Sequence, residues 1–147
     1  MSQFLARLPE FIGAHPILSM GFVGLTAAVV FNEVSRLRRG YKGISPSQLT
    51  QLINRENALV VDISPSADFE KGHILGAKHV AMSQFDPENK VLAKVRELPV
   101  VVVCRTGMTA STAAARLVKA GFKQVYLLEG GVEAWRSADL PLVRGKA

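Results

Sequence analysis

A stretch of 22 residues without a charged side chain, from Phe11 to Asn32, most restricts what this chain can fold into. As an α-helix it would be about 33 Å long, which is enough to cross the hydrocarbon core of a bilayer. Its apolar residues would lie on all sides of the helix, as contact with lipid requires. Pro16 and three glycines weaken a helix in water but are tolerated in membranes. We therefore predict a transmembrane helix over residues 11–32.

Two other interpretations of this stretch are a buried core helix and a cleaved signal peptide. A core helix of this length would be unusual in so small a protein. A signal peptide carries its positive charge before the apolar run. Here Arg7 precedes the run and is offset by Glu10, whereas a basic cluster follows it at Arg36, Arg38, Arg39 and Lys42. The charge distribution therefore favours a retained single-pass anchor.

The basic cluster also predicts the orientation of the anchor. Lys and Arg remain on the cytoplasmic side of a membrane helix, so the N-terminus is expected outside and the remainder inside. Residues 1–10 are then an N-terminal tail, residues 33–43 a basic juxtamembrane linker and residues 44–147 a cytoplasmic domain. The expected location is the inner membrane of a bacterium, where a cytoplasmic thiol at Cys104 stays reduced.

Charge and cysteine content exclude several classes of function. The net charge is +6, but residues 44–147 contain no basic stretch interleaved with aromatic residues, so we predict no nucleic-acid partner. The single cysteine excludes an intramolecular disulfide and leaves too few ligands for a structural zinc site. We predict no metal and no organic cofactor.

Residues 44–147 alternate between strand and helix patterns. Ser45 to Gln48 forms a capping box that predicts a helix start, and Val100 to Val103 is the strongest strand pattern. Further strands are predicted at 58–63, 78–81 and 124–128, and further helices at 88–97, at 110–120 and around Trp135. This order is typical of an α/β domain with an open, mainly parallel sheet and helices on both faces.

Cys104 is the candidate for chemistry, because sites of open α/β sheets lie at the carboxyl ends of strands. It follows the predicted strand 99–103 and begins a polar loop, Cys104-Arg105-Thr106-Gly107-Met108-Thr109, which leads into a helix. Backbone N–H groups of the loop and the helix dipole would favour a thiolate there. The alternative is a buried, inert cysteine, which is a common fate of a free thiol.

Four segments, in this order, resemble the rhodanese family of sulfurtransferases. They are Val60-Val61-Asp62, the turn from Phe69 to Ala77 with its GHILGA sequence, the strand and loop from Val101 to Thr109, and the segment from Leu128 to Trp135 with its paired glycines. The resemblance runs from about Ile44 to Leu142. It implies a single rhodanese domain behind a membrane anchor.

The resemblance also implies a mechanism and a set of roles. Cys104 would take a sulfane sulfur from a donor such as thiosulfate, carry it as a persulfide and pass it to cyanide or a thiol. The loop from Arg105 to Thr109 would cradle the persulfide, and Asp62 and His73 would support the site. Arg105 would contact an anionic donor or lie solvated at the surface, and Met108 would belong to the core or to the pocket mouth.

The sequence departs from the family pattern at two positions. Ser64 stands where many single-domain members have arginine, and Thr109 ends the loop where many have arginine or lysine. A loop ending in Gly-x-Thr occurs in the thiosulfate and mercaptopyruvate branches, so Thr109 is compatible with activity. Arg105 in second place of the loop is closer to the thiosulfate branch, but that branch usually has lysine where Thr106 stands, which predicts weaker affinity for the thiosulfate dianion.

Two other functions remain as alternatives. A membrane-tethered rhodanese fold could recruit a membrane-protein partner with little turnover. A phosphatase or arsenate reductase could share the fold, but these enzymes need Cys-x5-Arg, and Ala110 stands where the arginine would be.

Overall fold

A computed structural model describes residues 2–146. It divides into two units, one up to Arg39 and one from Gly40 onwards. The first unit consists of two helices, α1 (Ser2–Ala14) and α2 (Pro16–Arg38), which are separated at His15. The second unit contains all the strands and the remaining helices.

The helices of the first unit have other boundaries than the sequence predicted. Residues 2–10 of the expected tail lie within α1, the long apolar helix begins at Pro16 instead of Phe11, and it continues through part of the expected linker to Arg38. The break follows from Pro16, since proline disfavours helical backbone in the residue before it and suits the first turn of a new helix.

Helix α2 is long and apolar enough to cross a membrane. It has 23 residues, corresponding to about 35 Å, and none of them is buried. Length and composition support a membrane span only weakly, because a signal sequence near the N-terminus has the same properties.

The second unit is built around one sheet. Its strands are β1 (Lys42–Ile44), β2 (Leu59–Asp62), β3 (His73–Ile74), β4 (Lys78–His79), β5 (Val100–Val103), β6 (Val125–Leu128) and β7 (Leu142–Val143). Five of them form the sheet in the order β1-β6-β5-β2-β4, parallel throughout, and a separate antiparallel pair joins β3 to β7. The helices are α3 (Pro46–Glu56), α4 (Ser66–Lys71), α5 (Lys90–Ala93), α6 (Ala110–Lys119) and α7 (Gly131–Ser137), with one 3₁₀ turn at Met82–Gln84. This architecture confirms the predicted α/β fold.

The central strand β5 is buried on both faces, which explains its uninterrupted valine run. Val100 and Val102 pack into a cluster with Leu117 of α6. Val101 and Val103 pack into a second cluster on the other face, which includes Leu49 of α3, Phe69 of α4 and Trp135 of α7. Because β5 lies between two layers of helices, its carboxyl end is held rigidly at the middle of the sheet.

Local signals account for some helix ends and fail at others. The predicted capping box is present: Ser45 Oγ accepts the N–H of Gln48, and Ser45 N–H donates to Gln48 Oε1 at 2.9 Å. The predicted helix 88–97 is reduced to the four residues of α5, and the chain continues in tight turns to Leu98. Pro99 disfavours helical backbone at Leu98, so it sets a limit beyond which no helix could continue.

Candidate active site

Cys104 lies directly after β5 at the carboxyl end of the parallel sheet. Strands β2 and β6 flank β5 on either side, so the cysteine is at the centre of this edge. Its side chain is largely buried, with 5% of its surface exposed. The loop 104–109 follows, and α6 starts at Ala110 as predicted.

The loop bends back over the sulfur of Cys104. The N–H of Gly107 donates to Cys104 Sγ at 2.9 Å. Gly107 has a φ of +91°, and a Cβ there would press on the backbone nitrogen of Gly130 at 3.2 Å. Glycine at this position therefore lets the loop close with an N–H donor aimed at the sulfur, which stabilises negative charge on it.

Helix α7 fixes the loop through its first backbone donors. The N–H of Val132 donates to the carbonyl of Cys104 at 3.0 Å, and that of Glu133 donates to the carbonyl of Arg105 at 3.2 Å. In a trans peptide the C=O and N–H point in opposite directions. The N–H groups of Arg105 and Thr106 are therefore directed away from α7, and residues 2–146 offer neither of them an acceptor. They remain available to an anion bound in the loop.

The remaining loop side chains face solvent. Arg105, Thr106, Met108 and Thr109 are exposed, and the 81% exposure of Met108 excludes the core as its place. Arg105 Nε lies 3.6 Å from Glu133 Oε1 on α7, and Glu133 also pairs with Arg136. Arg105 is therefore paired with Glu133 at the surface, and its contact with an anionic donor stays a prediction. Sequence reasoning missed Glu133, although its three-residue spacing to Arg136 after the paired glycines is a signal for an ion pair on a short helix.

Asp62 lies at the end of β2, paired in register with Val103 of β5. It is 1% exposed, and its Oδ1 accepts the N–H of Ser64 at 2.9 Å. This contact fixes the turn that leaves β2, one strand away from Cys104. The supporting role of Asp62 in the site stays a prediction.

His73 is the second residue of the GHILGA segment and is buried. It lies in strand β3, which pairs with β7. Its Nδ1 is hydrogen-bonded to the carbonyl of Phe69 at 2.8 Å, and its ring stacks on Phe69 with centroids 3.7 Å apart. His79 stacks on Phe69 as well and is bonded through Nε2 to the carbonyl of Ser64. These contacts support the turn, and within residues 2–146 none of them joins His73 to the loop 104–109.

A cavity of about 160 Å³ lies beside the loop. Ser64 lines it, and the short serine side chain leaves space that a longer residue would fill. Charged groups of both signs surround it: the lining residues are Ser64, Asp68, Lys71, Gly72, Arg105, Val132, Glu133, Arg136 and Leu142. Cys104 is not among them, so the cavity adjoins the loop through Arg105.

The geometry is a thiol at the end of a central parallel strand, enclosed by a loop of N–H donors. A family model described as rhodanese-like domain matches residues 45–138. The chain belongs to the rhodanese family. A solved thiosulfate sulfurtransferase from Pseudomonas aeruginosa shares 31% identity and a TM-score of 0.64, with 72% of this chain matching 20% of that longer one. A rhodanese-related protein from Thermoplasma volcanium has the same fold, with a TM-score of 0.61 and 23% identity over 71% of this chain and all of the other.

Two relatives match different extents of this chain. The thiosulfate sulfurtransferase GlpE of Pseudomonas aeruginosa strain PAO1 is 41% identical over 98 residues, which is 66% of this chain and 86% of GlpE. The uncharacterized protein YibN of Escherichia coli strain K12 is also 41% identical, but over 143 residues, 97% of this chain and all of YibN. Because so much of the chain is matched, the similarity to YibN includes most of the N-terminal unit.

Proposed function

We propose that this rhodanese is a sulfurtransferase that carries sulfane sulfur as a persulfide on Cys104. The observation that carries the proposal is the hydrogen bond from Gly107 N–H to Cys104 Sγ within a loop held by α7. It places a backbone N–H donor directly on the buried sulfur that would carry the persulfide. The similarity to GlpE, a thiosulfate sulfurtransferase, supports the same chemistry.

In the first step the Cys104 thiolate attacks the outer sulfur of thiosulfate. A new S–S bond forms to Cys104, the S–S bond of thiosulfate breaks, and sulfite leaves with the electron pair. The negative charge moves to the terminal sulfur of the persulfide. The N–H groups of Arg105 and Thr106 are available to that charge, and preorganised donors of this kind lower the energy of a developing anion.

In the second step a thiophilic acceptor, cyanide or a thiolate, attacks the terminal sulfur. The persulfide S–S bond breaks, and its electron pair restores the Cys104 thiolate. Donor and acceptor occupy the same loop in turn, so ping-pong kinetics are expected. Neither step requires a metal or an organic cofactor.

We further propose that α2 anchors the enzyme in the bacterial inner membrane. Its length and apolar composition, and the bases Arg36 and Arg38 in its last turn, support an orientation with the N-terminus outside. The rhodanese domain would then lie in the cytoplasm. The similarity to YibN extends into this unit, so the unit is not confined to this chain.

The persulfide step is tested by intact mass. The full chain in detergent is incubated with thiosulfate, desalted and measured beside Cys104→Ser. We expect a gain of about 32 Da in the native chain only, and its loss on adding cyanide. No gain with thiosulfate, mercaptopyruvate or a polysulfide would overturn the sulfurtransferase proposal.

A genetic test separates catalysis from recruitment of a membrane-protein partner. A strain that lacks the gene receives either the native chain or Cys104→Ser, expressed at the same level. The enzyme proposal expects the serine variant to fail. Full complementation by the serine variant would favour a tethered binding module.

Topology is tested in whole cells with a membrane-impermeant maleimide. Cys104 is the only thiol of the chain, so it needs no introduced label. Cytoplasmic Cys104 reacts only after the inner membrane is made permeable. Reaction in intact spheroplasts would overturn the proposed orientation.

A further inference from the structure

Helix α1 has an apolar face that lies on one side only. Its five large apolar residues follow at the spacing i, i+1, i+4, i+7 and i+8, which covers an arc of about 120°. They are Phe4, Leu5, Leu8, Phe11 and Ile12. Gln3, Ala6, Arg7 and Glu10 occupy the opposite side.

This face is open to its surroundings. Between 36% and 73% of the surface of each of the five residues is exposed, with Leu8 at the low end and Phe4 at the high end. A patch of this size in water carries a large free-energy cost, at about 25 cal/mol per Å² of apolar surface. A continuous one-sided apolar face therefore calls for a partner.

The position of α1 in the chain points to the partner. Only His15 separates α1 from Pro16, where the long apolar helix α2 begins. If α2 crosses the membrane, the end of α1 lies at the membrane surface. With 13 residues, α1 is about 20 Å long, which is too short to cross the hydrocarbon core itself.

The sequence of α1 fits the interface and not the bilayer interior. Pro9 lies inside the helix and has no N–H, so the carbonyl of Leu5 lacks a helical donor. Water and headgroups at the interface can satisfy this carbonyl, whereas the hydrocarbon core cannot. Arg7 and Glu10 balance each other in charge, so apolar burial would dominate binding.

We propose that α1 lies in the plane of the membrane, with the face formed by its five large apolar residues inserted among the lipids next to the outer end of α2. The inference rests on the proposed anchor. The two helices then have different roles: α2 spans the bilayer, whereas α1 lies at its surface and fixes the depth of α2 in the membrane.

Spin labels test this on the full chain with Cys104→Ser as background, reconstituted in vesicles of equal parts phosphatidylethanolamine and phosphatidylglycerol. Leu8→Cys and Ile12→Cys place labels on the apolar face. Ala6→Cys and Glu10→Cys are the matched labels on the opposite face. The readout is accessibility to oxygen, which partitions into lipid, against a water-soluble nickel chelate.

We expect the ratio of oxygen accessibility to nickel accessibility to be at least about threefold higher for the labels at positions 8 and 12 than for those at 6 and 10. The labels at 8 and 12 should lie at a shallow depth in the bilayer. A label from Val23→Cys, at the middle of α2, serves as the deep reference. Labels on both faces in water, or both as deep as position 23, would overturn the proposal for α1. Spin–spin broadening between labels at position 8 would overturn it too, because a second copy would then cover the face.

The same reference separates this inference from the anchor. A label at position 23 in lipid together with α1 in water refutes the inference and leaves the anchor intact. A label at position 23 in water refutes the anchor and the inference together. Sulfur transfer by Cys104 is measured independently and decides neither outcome.

Discussion

The α-carbon of Gly131 lies so close to the carbonyl oxygen of Cys104 that a Cβ at Gly131 would overlap this oxygen. The first residue of α7 and Cys104, the proposed nucleophile, are therefore in direct backbone contact. The same carbonyl accepts the N–H of Val132 at 3.0 Å. The start of α7 thus sets the position of the loop that carries the sulfur.

Gly131→Ala is expected to displace the loop from α7. The φ of +60° already disfavours alanine, and the overlap with Cys104 adds to this strain. We expect the free energy of unfolding to fall by about 2–4 kcal/mol and persulfide formation to slow by about 10- to 100-fold. Urea titration and stopped-flow thiosulfate consumption measure the two effects.

Gly121→Ala is the matched control for this prediction. Gly121 has a φ of +89°, but a Cβ there would meet no atom within 4 Å. We expect only the backbone cost of about 1–2 kcal/mol and an unchanged rate of persulfide formation. Equal loss of rate in both variants would contradict a specific role of the contact between Gly131 and Cys104.

Asp62→Ala is expected to destabilise the edge of the sheet that carries Cys104. The substitution removes the acceptor of Ser64 N–H at a buried position. An unsatisfied buried donor costs about 1–3 kcal/mol, whereas Asp62→Asn keeps an oxygen acceptor and should cost less. Urea unfolding of both variants tests this order, and an equal loss in the two variants would show that the charge of Asp62, which both substitutions remove, matters more than its hydrogen bond.

The parts of the fold that sequence could predict are those with a local cause. Three features can be recognised from a few neighbouring residues each: the capping box at Ser45, the buried run Val100–Val103 and the polar loop after this run. The place of Cys104 at the carboxyl end of the sheet follows from the order of strand, loop and helix, because this order places a residue at the edge of a parallel sheet.

The parts that sequence missed depend on contacts between distant segments. Strands β3 and β7 have two residues each, too few for any periodic pattern, and they exist because His73 and Ile74 pair with Val143 and Leu142. Likewise, the pairing of Arg105 with Glu133 is set by how α7 packs against the loop. The spacing of Glu133 to Arg136 is a local signal for one ion pair, but no local signal indicates that Glu133 also contacts Arg105.

His73→Ala separates structural support from acid–base catalysis. The ring stacks on Phe69 and is bonded to its carbonyl, so its loss should lower the free energy of unfolding by about 2–4 kcal/mol. If the role is structural, the folded variant should keep its sulfur-transfer rate within about threefold and the same pH–rate profile. Loss of one limb of the pH–rate profile in the variant would show that His73 acts as a general acid or base.

Glu133→Gln is expected to improve binding of anionic donors. Glu133 competes with such donors for Arg105, whose Nε lies 3.6 Å from the carboxylate, and the substitution also removes a negative charge beside the loop. We expect KM for thiosulfate to fall about two- to fivefold with kcat unchanged, and stability to change by less than about 1 kcal/mol because the pair is exposed.

Steady-state kinetics at low ionic strength measure the effect, and Glu97→Gln is the matched control. Glu97 pairs with Lys123 at 2.6 Å near the start of β5, the opposite end of the strand from Cys104. The same change of charge there should leave KM for thiosulfate unaltered. A higher KM in Glu133→Gln would mean that Glu133 positions Arg105 for the donor instead of competing with it.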